Sequence, residues 1–108
     1  ARFDAAGTLV WARQVGTPES DFGHAVAVDA NGVHVVGYTY GRFDDIISQA
    51  VEDIFLARLA PDGTLLDVRI YDAGVSEEGF AAAADGTGAV YVGGLVRLTP
   101  ALVLKHVP

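Results

Sequence analysis

Apolar and polar positions along the chain alternate or run together only in short stretches, each closed by Gly, Asp, Asn or Pro, and no window sustains a helical apolar period with caps. Residues 8–15 set Leu9, Trp11, Arg13 and Val15 on one face and Thr8, Val10, Ala12 and Gln14 on the other, which predicts an amphipathic outer strand. The small apolar run 23–28, the turn residues Asp29-Ala30-Asn31-Gly32 and the return 33–39 predict a β-hairpin, because Asn and Gly tolerate positive φ. A second hairpin is expected from 79–84, a turn at 85–88 and a return along 89–96. Between them, 53–60 reads as a third strand, Pro61-Asp62-Gly63 as a turn and 64–71 as a fourth strand, with 101–107 a further third strand. Residues 40–52 form the longest connection, read as a loop with room for one short helical turn.

These elements repeat at a shift of 56 positions without a gap: Ala1-Arg2 recurs as Ala57-Arg58 and Gly7-Thr8-Leu9 as Gly63-Thr64-Leu65. Arg13, Ser20, Gly23, Ala25, Ala27, Asp29, Gly32, Val36 and Gly37 return as Arg69, Ser76, Gly79, Ala81, Ala83, Asp85, Gly88, Val92 and Gly93. A period of roughly 50 residues built from short strands and Gly turns is that of propeller blades or a β array. The expected fold is therefore all-β: β-propeller blades of four antiparallel strands, about two per chain. Residues 1–15 supply the end of a third strand and the outer strand that completes a blade, and 16–71 a first complete blade. Residues 72–108 supply a second blade lacking its outer strand, with Lys105-His106-Val107 in the place of Ala57-Arg58-Leu59. A ring of roughly four to eight blades would close by oligomerisation or through segments of a longer parent. The absence of Met and the start inside a unit raise the expectation of an excerpt, a processed product or an engineered piece.

Apolar residues make up 51% of the chain against 19% charged, which predicts a surface that packs against further blades or partner chains. No stretch free of Asp, Glu, Lys and Arg, 86–96 included, is long enough to span a bilayer, so no membrane insertion is expected. A net charge of −7 with seven Lys and Arg argues against a nucleic-acid partner. Acidic residues pair at Glu19/Asp21, Asp44/Asp45, Glu52/Asp53 and Glu77/Glu78, in expected loops, and read as a solubilising rim, with Glu19/Asp21, Asp44/Asp45 and Glu77/Glu78 the alternative seat for a cation or basic partner. Without cysteine there is neither a disulfide nor a thiolate site.

The run Asp21-Phe22-Gly23-His24-Ala25-Val26-Ala27-Val28-Asp29-Ala30-Asn31-Gly32-Val33-His34-Val35-Val36-Gly37-Tyr38-Thr39, followed by Asp53-Ile54-Phe55-Leu56-Ala57-Arg58-Leu59-Ala60-Pro61-Asp62-Gly63-Thr64-Leu65-Leu66, resembles the bacterial SBBP β-propeller repeat. It is similar, more loosely, to NHL-type blades. The second unit departs from the pattern, with Glu77-Glu78-Gly79 at the acidic-aromatic-Gly step and Gly94-Leu95 for Tyr38-Thr39. The resemblance implies a propeller or an assembly of blades, in a secreted or cell-surface bacterial protein, and carries over no catalytic residue.

The Asp-rich turns at 29–32 and 85–88 suit calcium in their oxygen donors but lack the later carboxylates and closing Glu of a full loop, so hairpin chemistry is the better reading. His24, His34 and His106 fall on three strands without ligand spacing and read as ordinary strand or edge residues; Gly86-Thr87-Gly88 precedes no helix and is no phosphate loop. No catalytic residue, metal site or cofactor is expected. Among the aromatic residues Trp11, Tyr38, Tyr40, Phe43, Tyr71 and Tyr91, packing should claim Trp11 and Tyr71. Tyr40 and Phe43, with Asp44 and Asp45, are the candidate ligand residues. The expected role is a non-enzymatic structural or adhesive module that assembles head to tail by strand exchange, Leu9 and Trp11 of one chain adding beside Leu102 and Leu104 of the next. The alternative is a lectin-like, carbohydrate- or ligand-binding propeller. An enzyme would rest on fold analogy, since nothing in the spacing selects two carboxylates.

Overall fold

Short apolar runs between turn residues become strands, and the computed structural model describes them over residues 1–40, 42–43, 46–47, 53–71, 77–96 and 101–106. In chain order they are β1 (Arg2–Phe3), β2 (Leu9–Trp11), β3 (Asp21–Asp29), β4 (Gly32–Thr39), β5 (Arg42–Phe43), β6 (Ile46–Ile47), β7 (Asp53–Leu59), β8 (Leu65–Tyr71), β9 (Glu77–Ala84), β10 (Val90–Val96) and β11 (Ala101–His106). They form a β1-β2 hairpin, a four-stranded sheet ordered β3-β4-β7-β8, a small β5-β6 hairpin and a three-stranded sheet ordered β9-β10-β11. Every pairing is antiparallel between strands adjacent in their sheet. The fold class is thus all-β, as expected.

Register makes the internal repeat physical. In the large sheet Arg58 faces Asp67 and Leu59 faces Leu65, with a register shift between Arg58 and Leu59. Moved back by 56, these pairs become Arg2 with Trp11 and Phe3 with Leu9, and both occur in β1-β2 with the shift at the same step. The N-terminal hairpin is therefore a copy of the outer half of the four-stranded sheet.

The inner strands repeat with one correction. In β3-β4, His24 is an extra residue between the pairs Gly23–Gly37 and Ala25–Val36. In β9-β10, Phe80 is extra between Gly79–Gly94 and Ala81–Gly93. The gapless shift would have aligned Gly37 with Gly93, but the structural counterpart of Gly37 is Gly94. Space explains the match: a Cβ on Gly37 would overlap the carbonyl oxygen of Phe22, and one on Gly94 that of Glu78. The turn between β9 and β10 holds one residue more, so Val90 and Val92 stand where Val33 and Val35 stand. By the same register Lys105 pairs with Tyr91 as Arg58 pairs with His34, which puts Lys105, and not His106, in the place of Arg58.

Alternation gives the four-stranded sheet two apolar faces. On one, Val36, Ile54 and Leu56 bury against Val90 and Val92 of β10, with Ala82 of β9 packed alongside. Val36 and Val90 are wholly buried, and burial of such side chains contributes about 1.5–3 kcal/mol each. On the other face, Phe55 and Ala57 bury beneath Val15, Val35, Leu65, Val68 and Ile70.

Several boundaries differ from the sequence reading. The outer strand expected over 8–15 is regular only at β2, because Gly16 and Pro18 follow closely and only β1 pairs with it. The 40–52 connection carries the β5-β6 hairpin, with no helical turn among its described residues. Of the acidic residues placed in loops, Asp21 opens β3, Asp53 opens β7 and is wholly buried, and Glu77 and Glu78 open β9.

Candidate functional site

Two surfaces concentrate chemistry. At one end of the four-stranded sheet, Phe22 and Tyr38 are direct cross-strand partners, and their rings stack at 4.8 Å and 24°. The bulge at His24 turns that ring to the same side, where it stacks on Tyr38 at 5.2 Å and 20°. Tyr40 stands edge-on to both Phe22 and Tyr38 at 6.4 Å. Offset stacks and edge contacts are the arrangements that ring quadrupoles favour. Phe22 and Tyr40 remain 42% and 40% exposed, so the cluster offers aromatic surface to solvent. It is tied down by Asp21, whose carboxylate accepts from the Thr17 amide at 2.7 Å, the Thr17 hydroxyl at 2.9 Å and the Thr39 hydroxyl at 2.6 Å.

The second surface is a groove of about 860 Å³ between the β1-β2 hairpin and the four-stranded sheet. Val33, Val35, Phe55 and Ala57 line it, with Val26 and Val28 beside them at 60% and 68% exposure. Trp11 holds the hairpin against the turn after β7: its indole N–H donates to the Pro61 carbonyl oxygen at 3.0 Å, and Arg2 donates to the same oxygen at 3.3 Å. Gly63, at φ 91°, leaves room for the indole, since a Cβ there would sit 2.8 Å from the ring.

Of the candidate ligand residues, Tyr40 joins the ring cluster; the side chain of Phe43 and all of Asp44 and Asp45 lie outside the described residues. Leu9 and Trp11 lie on β2, whose described partner is β1 of the same chain. Leu102 and Leu104 pair with Gly94 and Val92 in β11, the edge strand of its sheet, and their side chains lie outside the described residues. Phe22, His24 and Tyr38 were not singled out as a group. The Phe22–Tyr38 contact follows from hairpin register, but the bulge that adds His24 does not show in residue type.

The Asp turns use their carboxylates internally. Asp29 accepts from the Asn31 amide at 2.9 Å, Asp62 from the Thr64 amide at 2.9 Å, and Asp85 from the amide and hydroxyl of Thr87 at 3.0 and 2.6 Å. Hydrogen bonds to Thr64 hold the Asp62 carboxyl below the ordinary aspartate range, and those to Thr87 do the same for Asp85. Desolvation alone would raise Asp29, but the His34 ring and the Asn31 amide outweigh it and lower that carboxyl too. His34 lies within β4, a strand residue, and is buried against Asp29 at 3.2 Å as a structural pair. Among the described residues no group of three His, Asp or Glu is placed to hold a metal ion. No helix of the described residues is long and apolar enough to cross a membrane.

Residues 10–44 match the SBBP beta-propeller repeat. The matched stretch runs from within β2 past β5, and so crosses from the N-terminal hairpin into the four-stranded sheet. No curated protein matches the chain.

Proposed function

We propose, on the premise that this chain carries an SBBP beta-propeller repeat, that it is a non-enzymatic structural or adhesive scaffold acting through association with copies of itself. One observation supports the reading: β1-β2 reproduces the outer half of the four-stranded sheet, while among the described residues β11 is the edge strand of the three-stranded sheet. The β1-β2 hairpin offers an outer strand, and the edge at β11 offers a sheet able to receive one. Such a module belongs in a secreted or surface protein of a bacterium, without a nucleic-acid partner. Light scattering tests the association: a solution mass at an integral multiple of 11.3 kDa is expected, and a single-chain mass at all accessible concentrations overturns it.

A second reading, lectin-like ligand binding, is favoured by the exposed rings of Phe22 and Tyr40 beside the Tyr38 stack. Its test is a glycan array with the wild type and Tyr40→Ala. Specific signals lost in the variant are expected, and an array without signal removes the reading.

A further inference from the structure

Among the described residues, the groove beside β1-β2 has no sheet seated on it, whereas its counterpart in the same molecule does. Val90 and Val92 of the three-stranded sheet are buried against Val36, Ile54 and Leu56. Val33 and Val35 occupy the same register positions one sheet earlier, yet the face they share with Val26 and Val28 lines the groove. The side of the three-stranded sheet turned away from that contact presents Ala81, Ala83 and Tyr91, all exposed among the described residues.

A glycine gives the second, independent sign. Gly79 precedes the bulge in β9, and a Cβ there would come within 2.8 Å of Val36 Cγ1 and 3.0 Å of the Gly37 carbonyl oxygen, so the packed sheets require glycine. Gly23 precedes the matching bulge in β3, but a Cβ there would meet only Val35 Cγ1 at 4.0 Å. Glycine within a strand is otherwise a cost in backbone entropy. Its use at residue 23 is accounted for when a sheet seats on that face as closely as the four-stranded sheet seats on Gly79.

We infer that the groove is the docking site for a second copy of this chain, which places the Ala81, Ala83 and Tyr91 side of its three-stranded sheet over Gly23, Val26, Val28, Val33 and Val35. The inference deepens the self-association reading and rests on it, by naming the faces that meet. Register adds a consequence: Lys105 and His106 of the docked copy fall where Arg2 and Phe3 pair with β2. Docking therefore displaces the two-residue β1 and extends the incoming sheet with β2. The contact is heterologous, groove to opposite face, and an open assembly keeps one free groove and one free sheet face until a ring closes.

Sedimentation velocity on the wild type, Gly23→Val, Ala83→Asp and an equimolar mixture of the two variants tests it. Both substitutions fall at open positions of the single chain, so unchanged far-UV circular dichroism is expected; if Gly23→Val fails to fold, Val28→Asp takes its place. The wild type should sediment as an oligomer and each variant alone as a monomer. The mixture should form two-chain complexes and nothing larger, because one variant keeps a working sheet face and the other a working groove. If the wild type associates and both variants associate equally well, the docking inference is overturned while self-association stands. A wild type that is monomeric throughout overturns both.

Discussion

The indole N–H of Trp11 donates to the carbonyl oxygen of Pro61 at 3.0 Å, a link between residues 50 positions apart that fastens the N-terminal hairpin to the turn after β7. Trp11→Phe keeps the ring and loses the donor, and should cost about 1 kcal/mol in chemical denaturation. Trp11→Ala also empties the space over Gly63 and should cost about 3 kcal/mol. Because this is the chain's one tryptophan, its fluorescence reports hairpin release directly. A red shift at lower urea than the loss of far-UV signal is expected, and coincident transitions would mean that the hairpin is no separate unit.

Gly37 is required for a different reason from the turn glycines. A Cβ at Gly37 would overlap the Phe22 carbonyl oxygen and lie 2.9 Å from the Phe55 ring, so neither neighbour can yield without disturbing the bulge. Gly37→Ala should cost about 3 kcal/mol through this overpacking. Gly86 has φ +85° with nothing within 4 Å of an added Cβ, so Gly86→Ala meets only the left-handed backbone penalty of about 1 kcal/mol. Urea midpoints for the two variants should separate clearly. Equal midpoints would refute the argument from crowding.

Most of the architecture was legible in residue types. Turn residues at Asp29-Ala30-Asn31-Gly32 and Pro61-Asp62-Gly63 bounded the strands, and the recurrence of Arg58 and Leu65 in Arg2 and Leu9 located the N-terminal hairpin. The register errors arise where strand pairing departs from a simple repeat. A gapless comparison could not register the extra residue in the turn before Val90, and so misplaced Gly93 by one position. Bulges at His24 and Phe80 were equally hidden, since a bulge depends on how two strands pair and not on what either contains. The aromatic cluster followed the same rule: Tyr40 was found by composition, while Phe22, His24 and Tyr38 needed cross-strand register to come together. The groove needed tertiary packing, because Val26 and Val28 read in sequence like any buried alternation.

Acid should unfold the chain through its turn carboxylates. Asp29, Asp62 and Asp85 all have folded-state pKa values below the ordinary aspartate value. A depressed carboxylate pKa adds stability that is fully present above the unfolded value of about 3.9 and is lost as pH falls through the folded one. Melting temperature should thus be flat from neutral pH down to about pH 5 and fall below about pH 4. Asp62→Asn and Asp85→Asn should each lower the neutral-pH melting temperature and flatten the acid limb, because the amide does not titrate. An acid limb as steep in the double variant as in the wild type would assign the transition to other carboxylates.

Asp21 should be the most sensitive polar position in the four-stranded sheet. Its carboxylate gathers the amide and hydroxyl of Thr17 and the hydroxyl of wholly buried Thr39. The Tyr40 amide donates to the Ser20 carbonyl oxygen at 3.1 Å in the adjoining step, so the clasp fixes the chain on both sides of the Phe22–Tyr38 stack. Asp21→Ala removes the acceptor of three hydrogen bonds, one of them from the buried Thr39 hydroxyl, and should cost about 3 kcal/mol, whereas Thr39→Val, which removes only one of the three, should cost about 1 kcal/mol. The second sheet has Glu77 and Val96 at the corresponding register positions, where a Thr hydroxyl is lacking. Loss of the clasp should therefore show first in the four-stranded sheet. Near-UV circular dichroism from the stacked rings should weaken in Asp21→Ala before the far-UV signal changes. A near-UV spectrum matching the wild type would mean that the rings hold their own geometry without Asp21.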